Sequence, residues 1–269
     1  MTVAEAEIEA PVEVRHGDHV VSDGVRIHYM EAGAGAPVVL LHGYTSCCDA
    51  GWFANGVAKE LARTHWVIGI DARGHGRSEK PHDPAKYDGD RMPKDVIEVL
   101  DRLGVARAHF HGYSMGGGIV AHLMARWPER LITASFGGSG VRETDEALAK
   151  RAAELDPRGV DPEQEAGRAH LAARADRDGE ALRCVQEGRR AKPSTAPPLD
   201  LTRIDFPVQA INGEFDAPIS KTQRMARELA DFQAVILPGR GHNTVTTFPF
   251  TPQLYIDAIA AFVRSRGWR

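Results

Sequence analysis

The chain has 269 residues, of which 42% are hydrophobic and 26% charged, with three cysteines and a formal net charge of -4. This is globular composition, and a core of this size is stable without disulfides or a structural metal. The slight acidity gives no sign of a nucleic-acid-binding surface, and the few cysteines exclude a disulfide framework and suggest a reducing compartment.

The N-terminal residues 1–14 are acidic and lack a basic segment followed by an apolar one, so we expect no signal peptide. The longest apolar runs, such as PVVLL, are too short to cross a bilayer. We therefore predict a cytoplasmic protein with a small-molecule substrate and no nucleic-acid or membrane partner. We expect it to be a monomer or a homodimer.

Short apolar runs alternate along the chain with segments of helical periodicity. The runs predict strands at residues 25–33, 37–43, 65–74, 108–114, 131–138, 206–213 and 232–239. The periodicity predicts helices near 88–104, after residue 114 as far as Pro128, and around Tyr255, Ile259 and Phe262. Apolar strands separated by helices are typical of a parallel sheet covered on both faces, so we predict a doubly wound α/β fold.

Residues 141–199 interrupt this alternation. They contain 23 charged residues among 59 and no Phe, Trp or Tyr, and residues 192–198 have linker composition. The segment predicts a helical insertion, a cap or lid, between two parts of a core domain at residues 1–140 and 200–269.

The sequence GYSMGGG at 112–118 contains the pattern G-x-S-x-G, with Ser114 at its centre. It follows a predicted strand and begins a predicted helix, the context of a nucleophile elbow. Such a turn strains the serine backbone, lifts its hydroxyl above the sheet and directs the N–H of the next residue, Met115, at the reacting oxygen. Ser114 is therefore the predicted nucleophile.

A serine hydroxyl needs a base, and the base needs a carboxylate that orients it. The strand at 206–213 is followed by Glu214 and Asp216, and the strand at 232–239 by His242. The order serine, acid, histidine is that of the nucleophile-elbow enzymes. We favour Asp216 over Glu214 as the acid and predict a triad of Ser114, Asp216 and His242.

With these residues in place, the sequence resembles the α/β-hydrolase superfamily, in particular its lid-bearing esterase-, haloperoxidase- and C–C-hydrolase-like serine hydrolases. The motifs LLHGYT, DARGHGRS, GYSMGG, NGEFD and GRGH match in order and cover most of the chain outside 141–199. The resemblance implies a mostly parallel eight-stranded sheet flanked by helices, with a helical cap. It also implies an oxyanion hole made by the N–H groups of Tyr44 and Met115, with Asp71, Arg73 and His75 as a structural turn.

Three further residues, Tyr113, Trp52 and Asn243, are predicted to contact substrate. Cys47 and Cys48 follow the oxyanion residue, and we interpret them as small packing residues, one of which could line the pocket. Neither a P-loop nor an H-E-x-x-H zinc motif occurs, so we expect no cofactor and no metal.

These features predict a serine hydrolase that cleaves a small-molecule ester or lactone through an acyl-enzyme. A serine at the elbow argues against the related dehalogenases and epoxide hydrolases, which carry an aspartate there. Hydrolysis of a C–C bond in a diketone-like substrate and cofactor-free peroxidase activity remain alternatives. A ligand receptor that reuses the fold is an alternative of another class.

Overall fold

An eight-stranded sheet crosses the computed structural model of the protein, which describes residues 12–266. In chain order the strands are β1 (Val14–Val20), β2 (Arg26–Ala32), β3 (Ala36–Leu41), β4 (His65–Ile70), β5 (Ala108–Tyr113), β6 (Leu131–Gly137), β7 (Val208–Gly213) and β8 (Phe232–Leu237). Their order across the sheet is β1-β2-β4-β3-β5-β6-β7-β8. β2 pairs antiparallel with β1 and β4, and every other neighbouring pair is parallel.

Helices cover both faces of this sheet. They are α1 (Val57–Leu61), α2 (Arg91–Arg102), α3 (Met115–Arg126), α4 (Glu146–Leu155), α5 (Gln164–Ala172), α6 (Gly179–Ala191), α7 (Pro218–Glu228) and α8 (Gln253–Arg264). Alternate residues of β3 face opposite sides: Val39 packs in an apolar cluster with α2 and α3, and Val38 in a second cluster with α1 and α8. This arrangement confirms the predicted doubly wound, mostly parallel α/β fold.

All seven predicted strands are present and differ from the observed ones by only a few residues at their ends, whereas β1 is missing from the prediction. β1 reads VRHGDHV and lies at one edge of the sheet with most of its residues exposed. It therefore has no apolar run to reveal it. β8 forms the opposite edge, and although FQAVIL predicts a buried strand, Gln233, Ala234 and Ile236 are exposed.

Residues 141–199, which we call the cap segment, contain α4, α5 and α6 and lie between β6 and β7 in the chain. None of the helices within residues 12–266 is long and apolar enough to cross a membrane. The prediction about a signal peptide concerns residues 1–14, most of which lie outside the described residues.

Candidate active site

The turn between β5 and α3 holds Ser114 in a conformation that non-glycine residues rarely adopt. Its φ is 51° and its ψ is -105°. The turn is fixed because the Ser114 N–H donates to Gly137 O at 2.8 Å and its carbonyl accepts from the Gly118 N–H at 3.1 Å. This is the strained geometry that G-x-S-x-G predicts, and it presents the hydroxyl beyond the end of the sheet.

The hydroxyl of Ser114 meets the ring of His242, which in turn meets Asp216. Ser114 Oγ lies 2.9 Å from His242 Nε2, and His242 Nδ1 lies 2.8 Å from Asp216 Oδ2. A carboxylate at Nδ1 favours the tautomer with its proton there, which leaves Nε2 free to accept from the serine. The Asp216 side chain is 10% exposed and that of His242 35%, so the imidazole is open to an incoming molecule while the carboxylate is sheltered.

Asp216 has a second partner, which was not predicted. Lys221, in the first half of α7, donates from Nζ to Asp216 Oδ1 and also lies 3.2 Å from Gly138 O. The competing acid, Glu214, is engaged elsewhere, because its Oε2 accepts from the Gly239 N–H at 2.7 Å. The structure therefore brings Asp216, rather than Glu214, to the histidine.

Two backbone N–H groups are available beside the serine. Met115 is the first residue of α3, so its N–H has no acceptor within the helix. Gly43 lies against Ser114, since a Cβ built on Gly43 would be 3.6 Å from Ser114 Cβ. Within residues 12–266, no hydrogen bond uses the N–H of Tyr44, the next residue.

His42 fixes the direction of the Tyr44 N–H. Its Nδ1 donates to Gly43 O at 2.8 Å while its Nε2 accepts from the Ala72 N–H at 3.0 Å. A trans peptide points its N–H away from its carbonyl, so holding Gly43 O orients the Tyr44 N–H. Burial lowers the pKa of His42, which keeps the ring neutral and able to accept from Ala72.

The DARGHGRS segment braces the loops around the site. Asp71 accepts from the Cys48 N–H at 2.7 Å and from the Arg77 N–H at 2.9 Å. Arg73 is fully buried and binds Asp95 with two bonds of 2.6 and 2.7 Å and Asp23 at 2.9 Å. Burial by itself lowers the pKa of Arg73, but the bonds and charges of these two carboxylates raise it, so the guanidinium remains charged.

The structure does not support a substrate contact for Trp52. Its side chain is fully buried in the cluster with α1 and α8, and its ring meets the edge of His111 with 5.3 Å between centroids. The reason is that residues 49–53 form a helical turn whose Trp52 side faces the core.

Tyr113 is also buried, and it contacts both the backbone and the ring of His242. Its hydroxyl donates to His242 O at 2.6 Å and the two ring centroids are 5.3 Å apart. Burial raises the pKa of this phenol well above its ordinary value, so it remains a donor. Asn243 is half-buried next to His242, and its predicted substrate contact remains a prediction.

The two vicinal cysteines carry protonated thiols. Burial raises the pKa of Cys47 to about 12 and that of Cys48 well above its ordinary value. Cys47 lines a cavity of about 390 Å³ between the Asp49–Phe53 turn and α5, but Ser114 and His242 do not line it. A cysteine in the substrate pocket therefore stays a prediction. Among residues 12–266, no three His, Cys, Asp or Glu side chains are placed to hold a metal ion.

The cap segment touches the loops of the site at several points. The Tyr44 hydroxyl donates to Leu182 O at 2.8 Å, and Arg174 Nη1 lies 3.3 Å from Thr45 O. Gln164 Oε1 accepts from the Asn243 N–H at 3.0 Å. The sequence of this charged segment carries no pattern that singles out these residues, because each contact depends on the tertiary packing of α5 and α6.

Residues 36–146 match the family model described as alpha/beta hydrolase fold. The chain is 36% identical over 123 residues to the 2-hydroxymuconate semialdehyde hydrolase of Pseudomonas sp. (strain CF600), a match that covers 46% of this chain and 43% of the relative. It is 32% identical over 123 residues to the bifunctional epoxide hydrolase 2 of Sus scrofa, with 45% of this chain and 21% of the relative covered. The match thus spans less than half the length of these curated relatives.

A solved structure resembles nearly the whole chain. The crystal structure of a hydrolase from Pseudomonas aeruginosa PA01 aligns with a TM-score of 0.69 at 25% identity, covering 92% of this chain and 98% of that one. The sheet order, the strained serine turn and these similarities agree with one another, and they identify the chain as a protein of the α/β-hydrolase fold.

Proposed function

We propose that this protein is a cofactor-independent serine hydrolase that cleaves a small-molecule carboxylic ester or lactone. The observation that carries the proposal is the connected set of bonds from Ser114 Oγ to His242 Nε2 at 2.9 Å and from His242 Nδ1 to Asp216 Oδ2 at 2.8 Å. It is the arrangement that activates a serine hydroxyl in hydrolases of unrelated folds.

In the first half of the reaction, His242 Nε2 takes the proton of Ser114 as the oxygen attacks the carbonyl carbon. The N–H groups of Tyr44 and Met115 stabilise the oxyanion that develops, and losing one such donor typically costs about 10²- to 10³-fold in rate. Asp216 stabilises the imidazolium without accepting its proton. His242 then protonates the leaving alkoxide, which separates and leaves an acyl group on Ser114.

In the second half, water enters and gives a proton to His242 as its oxygen attacks the acyl carbon. Collapse of this second tetrahedral intermediate returns the proton to Ser114 and releases the acid. The 35% exposure of the His242 side chain supports this step, because the ring that must meet water is accessible.

We further propose that residues 141–199 act as a cap that shapes the substrate site. The proposal rests on the bonds from α5 and α6 to both loops of the site, through Tyr44 on one side and Asn243 on the other. The absence of aromatic residues and the high charge of this segment favour a small polar substrate over a lipid interface.

A second candidate is hydrolysis of a C–C bond in a diketone-like substrate. It is favoured by the 36% identity to the 2-hydroxymuconate semialdehyde hydrolase. Ester and C–C substrates tested side by side on the same preparation distinguish the two, since the larger kcat/KM identifies the bond that the site cleaves.

The test of the main proposal is steady-state turnover of p-nitrophenyl acetate. We expect Ser114→Ala to lower kcat by about 10⁴-fold or more while the circular dichroism spectrum and Tm stay close to those of the wild type. A purified, folded protein without turnover of any ester would contradict the proposal and favour a ligand receptor. Turnover that survives in Ser114→Ala would contradict it as well.

A further inference from the structure

The residues that lead into α5 in the cap segment bind the loop that carries His242. Residues 161–164 lie against residues 240–244 and hold them on both sides of the histidine. Before His242, the Gly241 N–H donates to Asp161 Oδ2 at 2.8 Å. After it, the Asn243 N–H donates to Gln164 Oε1 at 3.0 Å. The backbone N–H groups of the residues before and after His242 are therefore both bound to the cap segment.

Asp161 makes the largest number of these contacts. Its Oδ2 also accepts the hydroxyl of Thr244, and its Oδ1 accepts the Glu163 N–H at 2.8 Å. The residue is only 5% exposed although it is a carboxylate. Burial tends to raise the pKa of Asp161, but the bonds from Thr244, Gly241 and Glu163 together lower it, so the group stays ionised and both oxygens accept.

The contact extends to the backbones themselves. A Cβ on Gly167 of α5 would lie 2.6 Å from Asn243 O, so only glycine allows the helix to approach this closely. An ion pair between Arg240 and Glu163 lies at the other end of the loop. The loop is thus packed against α5 along its length rather than joined to it at one point.

From the core, His242 is held at its ring by Asp216 and at its carbonyl by Tyr113. The core also orients the N–H groups of residues 241 and 243, because a trans peptide points its N–H away from its carbonyl: Tyr113 holds His242 O, and the Phe215 N–H donates to Arg240 O at 2.9 Å. Catalysis is sensitive to small displacements of a base, and a shift of about 1 Å can cost 10²-fold in rate. Asp161 and Gln164 bind the N–H groups of the same two peptides, so each peptide is held from the core at its carbonyl and from the cap segment at its N–H.

We propose that Asp161 is a positioning residue for the reaction: by binding the Gly241 N–H and the Thr244 hydroxyl, it holds the His242 loop in the geometry that reaches Ser114. The cap then does more than cover the substrate, because its docking completes the bonds that hold the loop of the base. This inference rests on the proposed hydrolase function.

The test is the variant Asp161→Asn. Asn has one acceptor oxygen where Asp161 has two, so its amide NH₂ must face the Gly241 or the Glu163 N–H. We expect kcat for p-nitrophenyl acetate to fall by about 10- to 100-fold, with KM within about twofold of wild type. We also expect the low-field proton resonance of His242 Nδ1–H to shift or broaden, a change that loss of stability alone would not produce in the folded protein.

Asp90→Asn is the matched control. Asp90 accepts the Thr195 N–H at 2.9 Å and the Thr195 hydroxyl, so it also joins the core to the cap segment through a backbone amide and a threonine. It does not contact residues 240–244. We expect this variant to lose stability while its kcat and the His242 resonance remain those of the wild type.

If Asp161→Asn does not fold, two milder variants carry the test. Thr244→Val removes one donor to Asp161, and Gln164→Met removes the acceptor of the Asn243 N–H. We expect each to lower kcat by about three- to tenfold without a change in KM. Wild-type kcat and an unchanged His242 resonance in every folded variant would overturn the inference, provided that wild-type turnover depends on Ser114. Turnover independent of Ser114 would instead refute the proposed function.

Discussion

At the scale of single residues, the acid of the proposed triad can be tested sharply, because two carboxylates, Glu214 and Asp216, follow β7. Asp216 reaches His242 Nδ1, whereas Glu214 caps the Gly239 N–H. We expect Asp216→Asn to lower kcat for p-nitrophenyl acetate by about 10⁴-fold, since the amide favours the wrong imidazole tautomer. Glu214→Gln keeps an acceptor for Gly239 and should stay within twofold of wild type. Equal losses in the two variants would contradict the assignment.

For the two vicinal cysteines, we expect that substitution leaves most of the activity intact. Cys47 and Cys48 are buried thiols whose pKa values are raised by burial, so neither is a thiolate nucleophile at neutral pH. We expect the double variant with Ala at both positions to keep kcat within about threefold of wild type. Cys48 is fully buried, so its loss should lower the free energy of unfolding by about 1 kcal/mol. A folded double variant without turnover would mean that a thiol takes part in the chemistry.

At the scale of elements, the turn from β5 into α3 depends on how closely the helix approaches β3. A Cβ on Gly116 would lie 2.1 Å from Leu41 O, whereas one on Gly118 meets nothing within 4 Å. We expect Gly116→Ala to abolish turnover or folding. Gly118→Ala should raise the free energy of unfolding by up to about 1 kcal/mol through helix propensity, with turnover retained. Denaturant unfolding and turnover measured on both variants check this, and similar behaviour of the two would contradict it.

The position of each residue relative to the apolar strands explains which parts of the site could be predicted from the sequence. Ser114, Asp216 and His242 could be found because each follows an apolar strand of a parallel sheet, and such strands end at one edge. β1 could not be found because an exposed edge strand carries no apolar pattern. Asp161 and Lys221 could not be found because their partners lie 80 and 5 residues away in surroundings set by packing. Trp52 was misjudged because the side chain of a helical turn can face the core as readily as the pocket.

At the scale of the whole molecule, buried histidines make stability depend on pH. Burial lowers the pKa of His75 to about 3, of His109 to about 4 and of His111 to about 3, from an ordinary 6.5. At a pH between the lowered pKa of the folded state and the ordinary 6.5 of the unfolded state, the unfolded chain binds more protons than the folded one. Acid therefore favours unfolding. Their contribution is complete above pH 6.5 and is lost as the pH falls toward 3 to 4.

We therefore expect the free energy of unfolding to fall between pH 7 and pH 5 by about 2 kcal/mol for each such histidine. Denaturant unfolding at several pH values measures this slope. His109→Gln removes one titrating ring, and its slope should be smaller by about one proton. A wild-type stability that is flat or that rises on acidification would contradict the prediction.

The central claim is that Ser114 is a nucleophile activated by His242, and covalent labelling tests it most directly. The protein is treated with a fluorophosphonate and the adduct is located by peptide mass spectrometry. We predict one adduct per chain, on Ser114, absent from Ser114→Ala and formed at least 10²-fold more slowly in His242→Gln. A folded wild-type protein that gains no adduct, or that gains it on another residue, would contradict the claim.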